Sequence, residues 1–247
     1  MACKPLVGAE PVGPEAVGPK VRRLFADLLA HYGPQGWWPA ETPFEVIVGA
    51  VLTQGTAWAN VEKALARLKG AGLLDPEGLA GVDPTRLADL IRPAGYPRVK
   101  AGRLKAFVAA LKKDFGSLTE FLRADPESLR AWLLGVPGIG PETADSILLY
   151  AAGRPYFPAD AYTRRLFLRY GILAGPRPYE EIRRLVEGAL GPDPAALGEF
   201  HALIVAHCKA ACRKEPRCGV CPVRAGCKFW VGAEGVGFEP TMGLSTP

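Results

Sequence analysis

The spacing of apolar positions along the chain is that of many short amphipathic helices. From Val21, apolar residues recur at Leu24, Phe25, Leu28 and Leu29, which lines one face of a helix, and Pro34 closes that unit. The same period predicts helices at about 43–54, 57–70, 84–92, 98–114, 117–123 and 126–134, and later at about 162–170, 178–189 and 194–208. Gly72, Pro76, Pro84, Pro93, Gly95 and Gly116 punctuate the first series, and Gly-Pro pairs at 175–176 and 191–192 separate members of the second. No segment alternates with the period of a half-buried strand, so the expected fold class is all-α. Residues 1–17 are expected to form a flexible arm and residues 233–247, without periodicity or basic charge, a disordered tail.

Composition narrows this only a little. The chain has 247 residues and is 49% hydrophobic, enough for one large domain or two small ones. Its 30 basic and 25 acidic residues leave a mild net charge of +5. The surplus is concentrated: residues 154–232 hold 13 Lys or Arg against 7 Asp or Glu. Such a segment reads either as a phosphate-binding face or as a solvated basic surface. The longest clear apolar run, 46–52, is interrupted by Gly49 and is too short for a bilayer, and residues 1–20 show no secretory pattern. A cytoplasmic protein with no membrane partner is expected, in which clustered cysteines read as metal ligands rather than disulfides.

The most informative segment is 134–165. The apolar face of Leu129, Trp132 and Leu133 leads into Val136-Pro137-Gly138-Ile139-Gly140, and a helix follows from Pro141, a residue favoured in a first turn. Gly138 and Gly140 allow a tight turn and close approach to a ligand, and the new helix start can bind a phosphate without reading sequence. A G-x-G turn alone is also compatible with an ordinary helix–helix connection. Downstream, Pro158-Ala159-Asp160-Ala161-Tyr162 places Asp160 just ahead of another helix, where an N-cap is one reading.

Taken together, this segment resembles the helix-hairpin-helix, Gly/Pro-rich loop and aspartate of the DNA glycosylases of the endonuclease III superfamily, a similarity extending over about residues 20–230. The resemblance implies a two-lobed fold. One lobe is a helical barrel at about 40–150, and the other combines 18–39 with 151–232. It places Asp160 in the cleft, at the mouth of a pocket for a base flipped out of double-stranded DNA. A carboxylate there makes chemical sense: breaking an N-glycosidic bond builds positive charge on the sugar, which an ionised aspartate stabilises while helping a water attack. Bifunctional members carry a Schiff-base lysine two positions after the hairpin's second glycine; here that position is Glu142. Glutamate cannot form a Schiff base, so a monofunctional enzyme leaving an abasic site is expected, with Glu142 in the pocket or simply complementing the helix dipole.

Near the end, Cys212-x5-Cys218-x2-Cys221-x5-Cys227 offers four thiolates for one metal centre. The superfamily's common spacing has six residues in the first gap. The resemblance implies a [4Fe–4S] cluster on these four, with Cys208 the alternative first ligand and zinc the rival metal. Arg213, Lys214, Arg217 and Arg224 suggest that this loop lies against DNA.

Substrate choice turns on the N-terminal half. Trp37-Trp38-Pro39 and Gly55-Thr56-Ala57-Trp58 resemble the 3-methyladenine DNA glycosylase III branch, in which aromatics sandwich the flipped purine. Trp38 or Trp37, with Trp58, are the matching positions, since an alkylated cationic purine stacks well on indole; core packing is the alternative fate of any tryptophan. Gln54 matches a glutamine that enters the vacated space, Tyr96 a wedge that unstacks the opposite strand, and Lys100 and Arg103 are candidate phosphate contacts. The expected protein is a monomeric repair enzyme acting on a damaged duplex. Its rivals are a uracil or thymine mismatch glycosylase, a bifunctional oxidised-pyrimidine enzyme, and a non-catalytic DNA-binding hairpin module, for which Asp160 has no use.

Overall fold

The computed structural model describes residues 14–234, and among these there is no strand. The helices are α1 (Pro14–Tyr32), α2 (Pro43–Leu52), α3 (Trp58–Gly70), α4 (Pro76–Gly81), α5 (Pro84–Leu90), α6 (Pro97–Asp114), α7 (Leu118–Arg123), α8 (Pro126–Gly135), α9 (Pro141–Tyr150), α10 (Ala161–Tyr170), α11 (Tyr179–Leu190), α12 (Pro194–Ala210) and α13 (Lys228–Glu234). The fold is the all-α one expected. The prolines that look like breaks in the sequence are largely helix starts. Pro43, Pro76, Pro84, Pro126 and Pro194 each follow an Asp or Thr whose side chain accepts from a first-turn amide. This is why α4 was hidden: Asp75-Pro76 caps and opens a short helix rather than ending a loop.

Two boundaries differ from expectation. Helix α1 begins at Pro14, so residues 14–17 are helical rather than part of an arm, and residues 1–13 lie outside the described ones. Ala233 and Glu234 belong to α13, and the rest of the expected tail lies outside as well.

The chain forms two compact units, Trp38–Pro158 and the residues up to Trp37 together with those from Ala159 on. In the first, α2 buries eight of its ten residues and is the central helix, as apolarity all round requires. Helix α9 packs on it and is itself buried from Thr143 to Leu149. Val61, Leu65 and Leu68 of α3 and Leu104, Phe107 and Leu111 of α6 join the same core. In the second unit, α1 packs on α11 and α12, and α10 on α12, around Val21, Leu24, Leu28, Phe167, Val186 and Phe200. Among the described residues no helix is long and apolar enough to cross a membrane.

Candidate functional site

The hairpin joins α8 to α9 through Val136–Gly140, with Ile139 buried as its anchor while Gly138 and Gly140 stay exposed. The two glycines are there for different reasons. Gly138 has φ +84°, and a Cβ on it would lie 2.5 Å from the Arg103 side chain. Only glycine fits. Gly140, the N-cap of α9, has φ −92° and a Cβ there would meet open space. Among the described residues nothing crowds a Cβ at 140, so steric fit does not explain this glycine. Glu142 is exposed in the first turn of α9.

Gln54 braces this turn. Its Nε2 donates to the Gly138 carbonyl and to Thr143 Oγ1, both at 2.9 Å, and Arg103 donates to its Oε1. The candidate base-replacing glutamine and the candidate phosphate-binding arginine are thus held to one another and to the hairpin. Lys100 departs from expectation. It is 1% exposed, and its Nζ donates to the carbonyls of Leu52 at 2.8 Å and Ala94 at 2.7 Å. Its ammonium is occupied inside the unit and does not face a phosphate. Burial, with the Arg103 charge nearby, pulls its pKa below the usual lysine value. Tyr96 is 72% exposed and, among the described residues, it alone of the non-glycines has positive φ (φ 47°, ψ 48°).

Of the tryptophans, Trp38 and Trp58 come together and Trp37 does not. The Trp38 and Trp58 rings meet edge to face with centroids 5.2 Å apart, and Tyr150 from the end of α9 joins Trp38, also at 5.2 Å. In that geometry no planar base fits between the two indoles. Trp37 belongs to the other unit, where the Lys209 ammonium lies 5.8 Å from its ring centroid. Sequence reasoning missed Tyr150, although it falls one α9 residue past the apolar run Ile147-Leu148-Leu149.

Asp160 is the N-cap of α10. One carboxylate oxygen, Oδ1, accepts from Thr163 N at 2.7 Å and Thr163 Oγ1 at 2.8 Å; the other, Oδ2, faces His201 Nε2 of α12 at 3.7 Å. Burial would raise its pKa, but His201 and the Thr163 donors outweigh it and hold the carboxyl below the ordinary carboxylate range. The cap and an ionised group whose second oxygen faces His201 therefore coexist. Sequence reasoning missed His201 as well, because α12 brings it to Asp160 from far along the chain.

The same helix α10 reaches the cysteine segment. Arg165 donates to the Cys212 carbonyl at 2.9 Å, Arg169 lies 3.5 Å from Cys212 Sγ and donates to Lys214 O at 2.8 Å, and the Cys227 thiol meets the Arg169 carbonyl at 3.3 Å. His207 Nε2 stands 3.7 Å from Cys221 Sγ, and the Tyr32 hydroxyl lies 3.1 Å from its Nδ1. Burial and His31 bring the His207 pKa down to about 4, so the imidazole is neutral. Among the described residues no three His, Cys, Asp or Glu side chains converge on one point as ligands of a single ion. Burial and the charges of neighbouring cysteines push the Cys218 and Cys221 thiols up, Cys221 to about 11, whereas Cys208 and the Arg169 guanidinium bring Cys212 down to about 6; without a metal the segment favours the thiolate at Cys212 and the thiol at Cys218 and Cys221. Cys208 is buried, with its thiol at the Tyr162 carbonyl.

Comparison with known proteins identifies the family and the fold. Residues 48–192 match the family model of the HhH-GPD superfamily base excision DNA repair proteins. A Methanocaldococcus jannaschii protein provisionally named a DNA repair glycosylase is 46% identical over 209 residues, covering 84% of this chain and 95% of its own. Endonuclease III of Thermotoga maritima is 31% identical over 192 residues, 76% of this chain and 84% of its own. Among solved structures, H. pylori 3-methyladenine DNA glycosylase (MagIII) bound to 1,N6-ethenoadenine superposes with a TM-score of 0.68 at 31% identity, covering 78% of this chain and 97% of that one. A non-covalent endonuclease III–DNA complex shares the fold, with a TM-score of 0.76 at 20% identity over 88% and 98% of the two chains.

Proposed function

Because this chain belongs to the HhH-GPD superfamily of base excision DNA repair glycosylases, we propose that it hydrolyses the N-glycosidic bond of an alkylated purine such as 3-methyladenine and leaves an abasic site. The observation that carries the hydrolytic reading is Asp160: buried, held ionised, with Oδ1 used by the cap and Oδ2 turned to His201. As the base departs with the bonding pair, positive charge grows on the sugar, and an anion in a dry site stabilises it far more than one in water. A carboxyl held ionised has no proton to donate, so its part is electrostatic stabilisation and orientation of the water, whose oxygen bonds to C1′ as its proton passes to the carboxylate and on to solvent. The hairpin and the start of α9 hold a phosphate, Gln54 and Tyr96 support the opened stack, and Trp58 with Trp38 supplies the stacking face. The four cysteines 212, 218, 221 and 227 would hold a [4Fe–4S] cluster, whose role here is to fix the loop that Arg165 and Arg169 tie to α10.

The choice of base rests on the tryptophan pair and on the likeness to MagIII. One observation favours a second reading, uracil or thymine opposite G: Trp38 and Trp58 meet edge to face and do not form the sandwich that a purine cation would take. Single-turnover assays of the full chain separate the two. Release of 3-methyladenine from methylated duplex supports the first. Excision of uracil or thymine alone establishes the second, and release of no base from either duplex removes both of these base choices.

A further inference from the structure

Lys100 is an expensive residue to place where it is. An ammonium in a protein interior loses its hydration, and an apolar side chain of similar size would pack there at less cost. Its partners explain its presence. Leu52 is the last residue of α2, and Ala94 is the last of the 3-10 turn Arg92–Ala94. Carbonyls at helix ends lack an intrahelical partner and carry the negative end of the helix dipole. One lysine side chain thus satisfies two such ends at once, at 2.8 and 2.7 Å.

Each of those carbonyls leads straight into a segment of the proposed DNA-binding machinery. Thr53 and Gln54 come directly after Leu52, and Gly95 and Tyr96 directly after Ala94. The Lys100 backbone adds a third tie, since its N–H donates to the Tyr96 carbonyl at 3.0 Å and closes the first turn of α6. Tyr96 therefore sits between a carbonyl held by the Lys100 side chain and one held by its main chain. A tyrosine at positive φ is strained and persists only where its surroundings over-determine it. One turn along the same helix, Arg103 grips Gln54 Oε1 and covers Gly138.

We propose that Lys100 is a positioning residue: it pins the Gln54 turn and the strained Tyr96 turn to α6, so that the wedge and the glutamine are pre-set before DNA arrives. This rests on the glycosylase reading for its purpose, but not for its geometry. The geometry is tested on the free full-length protein by hydrogen exchange of Lys100→Met against wild type. Amides of 53–57 and 94–96 should exchange about tenfold faster or more, while those of α3 and α9 and of the other unit keep their protection. Unchanged protection at both turns, or an even loss across Trp38–Pro158, overturns the proposal. Should Lys100→Met fail to fold, Lys100→Gln, which retains a donor for one carbonyl, is read in the same way. The purpose is tested with a duplex carrying a tetrahydrofuran abasic analogue. Lys100→Met and Tyr96→Ala should each weaken binding about tenfold, and the double variant by much less than their product, because one acts through the other. Independent, multiplying losses refute the link to the wedge. If wild type does not bind this duplex at all, the glycosylase reading falls, and the exchange result still decides whether Lys100 holds the two turns.

Discussion

The two oxygens of Asp160 have different tasks, and replacing one atom separates them. Asp160→Asn keeps an oxygen for the Thr163 amide, and asparagine caps helices about as well as aspartate. The variant should fold and bind damaged duplex nearly as before. Its single-turnover excision should drop by at least ~10²-fold, the scale of losing one electrostatic stabiliser of a transition state. Undiminished excision by a folded variant would leave Asp160 as a cap alone. The charge also has a pH signature. The folded pKa is below the unfolded one, so the stability this carboxylate contributes is full above about pH 4 and is lost as pH falls through the folded value. His201 and the Cys208 thiol are the titratable groups that face it. Denaturant midpoints of wild type and Asp160→Asn should therefore differ near neutrality and converge as the pH falls through the folded pKa, which lies below the ordinary carboxylate value; a gap that persists at the acid end contradicts the assignment. Asp160 was legible because it stands in a short motif. His201 was not, since nothing local marks a histidine of α12 as its neighbour. Lys100 did leave a trace: it falls four residues before Leu104 and seven before Phe107, on the buried stripe of α6, where a lysine has no business as a surface cation.

At the level of elements, the hairpin makes its own prediction, because its glycines are constrained from opposite sides. Gly138→Ala combines a disfavoured φ of +84° with a Cβ driven into Arg103, which also holds Gln54. It should destabilise Trp38–Pro158 by about 1–3 kcal/mol, read from denaturant melts. Gly140→Ala meets neither obstacle. Its stability should stay within about 0.5 kcal/mol of wild type, while affinity for duplex falls, because the new methyl stands on the face a phosphate approaches. Equal stability losses at the two positions would show this division to be wrong. The turn itself was readable from Gly138 and Pro141, since each of these has a steric reason to be there. Helix α4 was not, because a proline after a capping aspartate looks the same as a loop until the cap is seen. Trp37 and Trp38 look interchangeable in the sequence for a related reason. They lie in non-helical chain at a boundary between units, and one joins Lys209 while the other joins Trp58.

At the scale of the whole molecule, the cysteine segment and the position of Glu142 bear on what the purified protein looks like and what it leaves behind. A [4Fe–4S] protein should be yellow-brown, with broad absorbance near ~410 nm and iron and sulfide in equal amounts; one zinc and no iron would replace the cluster with a closed tetrahedral site. The end point of the reaction is a matter of lysine chemistry. Strand cleavage by a glycosylase of this superfamily needs an amine at the hairpin that attacks the sugar and forms a Schiff base, and an amine does so only as a free base within reach. At the matching place stands Glu142, exposed in the first turn of α9. Lys100, the buried lysine of the same unit, has its ammonium on two carbonyl oxygens, and Lys105 donates to the carbonyls of Ala80 and Val82. With water as the nucleophile, the product strand should remain intact until alkali or heat breaks it at the abasic site. Borohydride added during the reaction should trap no covalent complex of protein and DNA on a denaturing gel. Glu142→Lys supplies the missing amine, so that variant should form a trapped complex where wild type forms none. Efficient trapping by wild type, abolished by changing a single lysine, would make this a lyase after all and return the first step to an amine.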